Sequence, residues 1–202
     1  MGQFALPLKA GGEEADRIVI GPANQAVAEA LADPSTWPFR TAVLVGPPRS
    51  GKSLLARWFA GSGLGESIDG ADSWDETQLF HRWNRAQEDG RPLLLVGKAE
   101  GWTISLPDLK SRLGGSLHLE IGPPDDAMAA DLMLAHAEQR GLVLSPEAAN
   151  YCIPRVTRSH ASIERLVAEI DRISLERKAP ATMSVWRDAI EAVEGPEQAR
   201  LL

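Results

Sequence analysis

The chain has 202 residues, 44% of them hydrophobic and 24% charged, which is the composition of a folded globular protein rather than of a disordered tail, a collagen or a coiled-coil fibre. At roughly 100–200 residues per domain this length holds one domain, or one with a small satellite, and excludes a large multidomain enzyme. Lys plus Arg number 21 against 28 Asp plus Glu, so the net charge is −7, the wrong sign for holding duplex DNA through phosphate contacts alone.

Residues 1–16 carry Gly11-Gly12 and Glu13-Glu14 without apolar periodicity, the pattern of a flexible lead. Thr41-Ala42-Val43-Leu44-Val45 and Leu93-Leu94-Leu95-Val96 are continuous apolar runs, as expected of strands covered on both faces of a parallel sheet. Between them, helices are predicted over 52–60, closed by Gly61-Ser62-Gly63, and over 75–89, opened by Ser73 with Glu76 three residues on as a capping box. Leu117-His118-Leu119-Glu120-Ile121 alternates and so belongs at a sheet edge. Strands alternating with helices make residues 17–122 an α/β core.

Beyond Gly122-Pro123-Pro124, which reads as a hinge, Leu142-Val143-Leu144 is the one short strand-like run. Helices are predicted over 125–140, from Ser145-Pro146, from Ser159 or His160 to 177, and near 184–193, so 123–202 is a small helical domain. Cys152 is the single cysteine, which excludes an internal disulfide and a cysteine-built zinc cage. No run approaches the ~18 apolar residues of a membrane span, and the first residues lack the basic-then-apolar shape of a signal peptide; a cytoplasmic chain with no membrane partner is expected.

Gly46-Pro47-Pro48-Arg49-Ser50-Gly51-Lys52-Ser53 matches G-x-x-x-x-G-K-[ST] directly after a strand and at the start of a helix. Loop N–H groups and the helix N-terminus would cradle the phosphates of a nucleotide, Lys52 would bridge the terminal ones and Ser53 would reach Mg²⁺. The predicted nucleotide residues are thus Gly46, Pro47, Arg49, Ser50, Gly51, Lys52, Ser53 and Leu54. The alternative is a tight strand-to-helix turn with purely steric glycines. Hydrolysis needs a carboxylate for the metal and a second acid to align water. Asp69 fills the first role, or is an ordinary surface acid; Gly70 follows it, so the second is unfilled. Asp69 lies 17 residues after Lys52, too few for two helices and two strands, and the sheet must be trimmed on that side.

These motifs, in this order, resemble the DnaA-related AAA+ family, and within it the short Hda type without a DNA-binding domain. The resemblance covers nearly the whole chain. Ile18-Val19-Ile20-Gly21-Pro22-Ala23-Asn24 is similar to the family's adenine-contacting segment, which implicates Ile18, Val19, Gly21 and Asn24. Leu109-Lys110-Ser111-Arg112-Leu113-Gly114 is similar to the segment carrying its arginine finger, and Glu120-Ile121-Gly122-Pro123-Pro124 to the entry into its lid. Gln3-Phe4-Ala5-Leu6-Pro7-Leu8 is similar to its sliding-clamp-binding peptide, which implicates Gln3, Phe4, Leu6, Pro7 and Leu8.

The resemblance implies an AAA+ P-loop NTPase core with a trimmed parallel sheet followed by a helical lid, an adenine nucleotide (ADP or ATP) with Mg²⁺, and a bacterial cytoplasmic location. The implied partners are DnaA and the β-subunit sliding clamp of DNA polymerase III, with DNA reached only through the clamp. The implied function is negative regulation of replication initiation, in which Arg112 stimulates hydrolysis of DnaA-bound ATP. Lys98 and Ser162 stand where the family carries its phosphate sensors, and with Gly70 they imply a nucleotide held but hardly hydrolysed.

Several residues carry a second reading. Lys98 fits a surface salt bridge, Arg112 an ion pair on a solvated helix end, and residues 3–8 a strand packed back on the domain. Arg155, Arg158 and Arg165 form either an interaction or DNA-facing patch or a solvated face, and the tryptophans at 37, 58, 74, 83, 102 and 186 are expected in cores or at the core–lid seam rather than stacked on bases. The competing functions are a self-sufficient AAA+ ATPase or loader and a clamp-binding adaptor with a vestigial nucleotide site. Self-association is left open.

Overall fold

In a computed structural model of the chain, residues 18–195 are described. The polypeptide divides at Gly122–Pro123 into two compact units. The first holds a four-stranded sheet in the order β2-β3-β1-β4, built from β1 (Thr41–Val45), β2 (Glu66–Ile68), β3 (Leu93–Val96) and β4 (Leu117–Glu120). Every pairing is parallel, with Ala42 opposite Leu94 and Leu117, and Ile68 opposite Leu95.

The two central strands are apolar throughout because both faces are covered. Ala42, Leu44, Leu94 and Val96 point to one face, where α1 (Gln25–Ala32) supplies Val27 and Leu31 and α2 (Lys52–Gly61) supplies Leu55, Ala56 and Phe59. Val43, Leu93 and Leu95 point to the other, against Leu79, Trp83 and Ala86 of α3 (Glu76–Glu88) and Leu109 and Leu113 of α4 (Pro107–Gly114). Burying each such leucine contributes about 1.5–3 kcal/mol. β4 is an edge strand, as its alternation predicts: Leu119 is buried while His118 and Glu120 face solvent. β2 is the opposite edge and only three residues long, so the sheet is trimmed on the Asp69 side.

The sequence reading placed the cap of α3 at Ser73. The cap is Asp75, whose Oδ1 accepts from Gln78 N at 2.9 Å, while Ser73 closes a 3-10 turn, its Oγ donating to Gly70 O at 2.7 Å. Glu76 does not complete a capping box. Its carboxylate reaches away to accept from Ser105 N at 2.8 Å and Leu106 N at 2.5 Å, tying the start of α4 to the start of α3.

The second unit is helical: α5 (Asp126–Gln139), α6 (Pro146–Cys152), α7 (His160–Arg177) and α8 (Met183–Glu194). Asp125 caps α5 through Met128 N at 2.8 Å and Ser159 caps α7 through Ser162 N at 3.1 Å, contacts worth about 1 kcal/mol each. Met133, Cys152, Ile163, Leu166, Ile170, Val185 and Ile190 meet in its core. Residues 142–144 form no strand, since among the described residues of this unit there is no strand to pair with them; Leu142 and Leu144 pack on the core and Val143 is left 90% exposed. Among the described residues no helix is long and apolar enough to cross a membrane.

Candidate functional site

The phosphate-loop residues lie between β1 and α2, as the motif requires. Gly46 is buried, and a Cβ there would sit 3.0 Å from Ile121 Cβ, 3.1 Å from Ile121 O and 3.2 Å from Ser50 Oγ, so only glycine fits the turn out of β1. Gly51 takes φ 85° immediately before α2, a left-handed conformation that turns the loop into the helix. Ser50 is 5% exposed and its Oγ has no hydrogen-bond partner, leaving a polar group inside the loop that an anionic oxygen would satisfy. Arg49 and Ser53 are exposed, Pro47 is half-buried, and Leu54 packs on the sheet face as part of the core.

Lys52 Nζ donates to Gly46 O and Pro47 O, both at 2.8 Å. Burial of the ammonium lowers its pKa from the ordinary lysine value, against the pull of Asp69 and Asp72, which raise it. A cation held over carbonyls in a partly desolvated loop, beside the N-terminus of a ten-residue helix, is an arrangement that binds phosphate. The loop therefore fits a nucleotide polyphosphate.

Segment 18–24 is brought to the same end of the sheet. Ala23 O accepts from Gly122 N at 3.0 Å, and Ile121, the preceding residue, is the one that closes on Gly46. Within the segment Asn24 is 3% exposed: its Oδ1 accepts from Gly21 N at 2.9 Å and its Nδ2 donates to Val19 O at 2.9 Å. Asn24 thus braces the segment, and Ile18 is buried in the core.

The acids are arranged differently from the sequence reading. Asp69 is exposed and its Oδ1 accepts from Gly70 N at 3.0 Å. Asp72, which that reading passed over, has a side chain only 10% exposed and pairs with Lys98 Nζ at 3.2 Å. Both carboxylates act on the Lys52 ammonium. The signal was present as D-x-x-D across one 3-10 turn, which carries the two acids to the same end of β2.

Arg112 lies on the exposed face of α4, next to a different edge of the unit's surface. Its guanidinium sits 4.3 Å from the centre of the Trp83 ring and 5.5 Å from that of Phe80. No carboxylate pairs with it among the described residues, so the ion-pair reading does not hold there. A groove of about 370 Å³ opens beside it, lined by Phe39, Trp83, Asp108, Ser111 and Arg112.

In the helical unit, Ser162 is engaged in capping, its Oγ 3.0 Å from Ser159 Oγ. Arg155 stacks on Tyr151 at 4.2 Å and donates to Tyr151 O, Arg158 pairs with Asp126 at 3.0 Å, and Arg165 donates to Val193 O at 3.0 Å. Of the tryptophans, Trp37 and Trp83 are buried, Trp58, Trp102 and Trp186 are half-buried, and Trp74 is 43% exposed, outside any core. Gln3, Phe4, Leu6, Pro7 and Leu8 lie outside the described residues.

Residues 126–187 match the family model described as "Hda, lid domain". The chain is similar to domain III of the Thermotoga maritima replication initiation protein DnaA, with a TM-score of 0.74, 15% identity, and coverage of 89% of this chain and 95% of that one. The chain thus carries a lid segment similar to that of Hda behind a core with the fold of DnaA domain III. A structure of the replication initiator DnaA bound to AMPPCP and single-stranded DNA is also similar, with a TM-score of 0.56, 17% identity, and coverage of 80% of this chain and 66% of that one. A Haemophilus influenzae protein described as uncharacterized is 30% identical over 121 residues, which are 58% of this chain. The chain spans 52% of the length of that curated relative. The fold is accordingly an α/β core like that of DnaA domain III, followed by a helical unit in which residues 126–187 match the Hda lid model.

Proposed function

We propose that this chain is a DnaA-related AAA+ regulator of the Hda type, which holds an adenine nucleotide and regulates DnaA by stimulating hydrolysis of DnaA-bound ATP, with Arg112 acting in trans. The observation that carries the reading is the contrast between its two halves: a phosphate loop complete in its binding groups, and an exposed arginine with no carboxylate partner among the described residues. The AMPPCP-bound DnaA relative supports an adenine nucleotide. Gly46, Ser50, Gly51, Lys52 and Ser53 would hold its phosphates, Ser53 and Asp69 the accompanying Mg²⁺, and residues 18–24 the adenine. When bound, Mg²⁺ neutralises phosphate charge.

The chain's own turnover is expected to be slight. Gly70 follows Asp69, and Lys98 is paired with Asp72 at 3.2 Å, so no second acid with an unspent carboxylate stands beside the first. Arg112 offers the chemistry that is missing in a partner: a planar guanidinium aimed at a transferring γ-phosphoryl group, worth on the order of 10³–10⁵ in rate in well-studied GTPases. Residues 1–16 would carry the clamp-binding peptide and bring the chain to DNA indirectly, with 17–122 as core and 123–202 as lid, in the bacterial cytoplasm.

The test is phosphate release from DnaA·ATP in the presence of clamp loaded on DNA, with the chain titrated in. Stimulation that requires Arg112, together with negligible release by the chain alone, is the expected result. Rapid release by the isolated chain would move the assignment to a self-sufficient ATPase.

A further inference from the structure

Strands β2, β3 and β1 are parallel neighbours in the sheet, so their carboxyl ends lie together, the end at which open α/β sheets bind ligands. The phosphate loop leaves β1 there, Asp69 and Asp72 follow β2, and Lys98 follows β3. Asp72 has a side chain only 10% exposed, and its Oδ2 meets Lys98 Nζ at 3.2 Å, while the lysine side chain is 77% exposed. The acid is the held partner of this pair, and the lysine stands in water. Within the loop itself Ser50, 5% exposed, has an Oγ with no hydrogen-bond partner, and both Asp69 and Asp72 bear on the Lys52 ammonium. A loop built for phosphate, an acid and the cation covering that acid thus meet at one end of the sheet.

Both members of the pair stand on backbone that is tied down. Asp72 lies in a single 3-10 turn between Ala71, which is buried, and Ser73, whose Oγ donates to Gly70 O at 2.7 Å. Lys98 follows Gly97, whose N–H donates to Leu44 O at 3.0 Å alongside β1. A Cβ on Gly97 would stand 2.5 Å from the Trp102 ring, so the indole lies directly on the Gly97 backbone and packs the start of this loop onto the sheet. An ion pair with so exposed a lysine adds little to stability. Its effect is local: it commits a nearly buried carboxylate that otherwise faces the phosphate loop.

We propose that Asp72 is a latent base for hydrolysis of a nucleoside triphosphate held in the phosphate loop, and that Lys98 keeps it silent by covering its carboxylate. The inference rests on the reading of the loop as an adenine-nucleotide site with slight turnover, and supplies the device that makes turnover slight. Uncovered, the Asp72 carboxylate accepts a proton from water as the water oxygen bonds to the γ-phosphorus. The bond from that phosphorus to the bridging oxygen breaks and its electron pair leaves on ADP, so the products are ADP and inorganic phosphate. Covered, Oδ2 is committed to an ammonium whose positive charge opposes the uptake of a proton. Gly70 offers no side chain directly after Asp69, which leaves Asp72, on the same turn, as the acid for this role.

The experiment measures ATP hydrolysis by the full chain alone, without DnaA or clamp, for wild type, Lys98→Ala and the double variant Lys98→Ala/Asp72→Asn. Calorimetric titrations with ADP, and with ADP plus aluminium fluoride as a mimic of the transferring phosphoryl group, run alongside. Lys98→Ala should hydrolyse ATP about tenfold to a hundredfold faster than wild type, part of the roughly 10²–10⁴ that a positioned base contributes. It should bind ADP as wild type does and the aluminium fluoride complex about tenfold more tightly, with an unchanged melting temperature. The isosteric Asp72→Asn change, added to it, should remove both gains. Wild-type hydrolysis and wild-type aluminium fluoride affinity in Lys98→Ala would overturn the cover and leave the phosphate loop and Arg112 readings standing. A gain that persists in the double variant would overturn Asp72 as the base, and loss of ADP binding in Lys98→Ala would make the lysine a phosphate ligand instead of a cover. Rapid hydrolysis by wild type would overturn the slight-turnover reading itself, and the cover with it.

Discussion

The guanidinium of Arg112 lies 4.3 Å from the centre of the Trp83 ring, a contact made between α4 and α3 on the solvent side of the sheet's second face. Stacking of this kind orders the arginine without consuming its N–H donors. Arg112→Ala should therefore cost little stability, about 0.5–1 kcal/mol for an exposed cation–π contact, while removing stimulation of DnaA·ATP hydrolysis. Arg112→Lys should restore little of it, because an ammonium keeps the charge but neither stacks as a plane nor bridges two phosphate oxygens. Thermal melting and phosphate release on the same three proteins separate these effects.

At the phosphate loop two substitutions should behave differently. Lys52→Ala removes a charged donor that lies over Gly46 O and Pro47 O at 2.8 Å, and ADP affinity should fall about ten- to a hundredfold, the worth of a charge-assisted hydrogen bond of about 1.5–3 kcal/mol. Gly46→Ala puts a methyl group 3.0 Å from Ile121 Cβ, and should lower stability as well as affinity, by about 1–3 kcal/mol for overpacking. Calorimetric titration with ADP and melting curves provide the comparison. Burial lowers the Lys52 pKa and a bound phosphate raises it, so binding should take up protons on the alkaline side of neutrality. Equal ADP affinity for wild type and Lys52→Ala would remove the loop as the site.

The sheet and the loop were legible in the sequence because each left a local mark: unbroken apolar runs at β1 and β3, alternation at β4, and fixed glycine spacing between β1 and α2. What was not legible depends on contacts distant along the chain. Helix α1 is eight residues long with Val27, Ala28 and Leu31 as its buried set, and Asn24 turns its side chain back to Gly21 and Val19 instead of forward into the helix, so no cap pattern announces it. Ser73, three residues before Glu76, reads as the cap of α3, but Glu76 is spent on Ser105 and Leu106, 29 and 30 residues away, and Asp75 is the cap instead. Asp72 acquires meaning only through Lys98, which is not a sequence neighbour.

For the proposed clamp-binding peptide, replacing Gln3 and Leu6 together by Ala should abolish binding to the sliding clamp and leave the melting temperature nearly unchanged, because a lead of the kind the sequence predicts contributes little to a core. Surface plasmon resonance against immobilised clamp, with differential scanning fluorimetry alongside, reads both. A melting temperature lowered by several degrees would instead indicate that residues 3–8 pack on the domain.

Cys152 ends α6 inside the helical unit, 0% exposed, among Met133, Ile163 and Leu166. Burial pushes its thiol from a pKa of 9.0 up to about 12, opposed only by the charge of Arg155. In the unfolded chain the thiol loses its proton near pH 9, while in the folded chain it keeps it until about pH 12. Across that interval the folded state binds more protons than the unfolded one, so stability is complete below pH 9 and declines as pH rises. The full interval corresponds to about 4 kcal/mol at 1.36 kcal/mol per unit, large beside the stability of a small helical domain. Urea midpoints at pH 8 and pH 10.5 should therefore drop more for wild type than for Cys152→Ala, which lacks the titrating group but starts from a lower value because of its small cavity. The same burial makes the thiol inert while the unit is folded. Ellman's reagent at pH 8 should label one thiol per chain in concentrated urea and almost none in buffer, since Cys152 is the only cysteine. Rapid labelling of the native protein, or identical pH dependence for wild type and Cys152→Ala, would mean that the α6 end of this core is open to water.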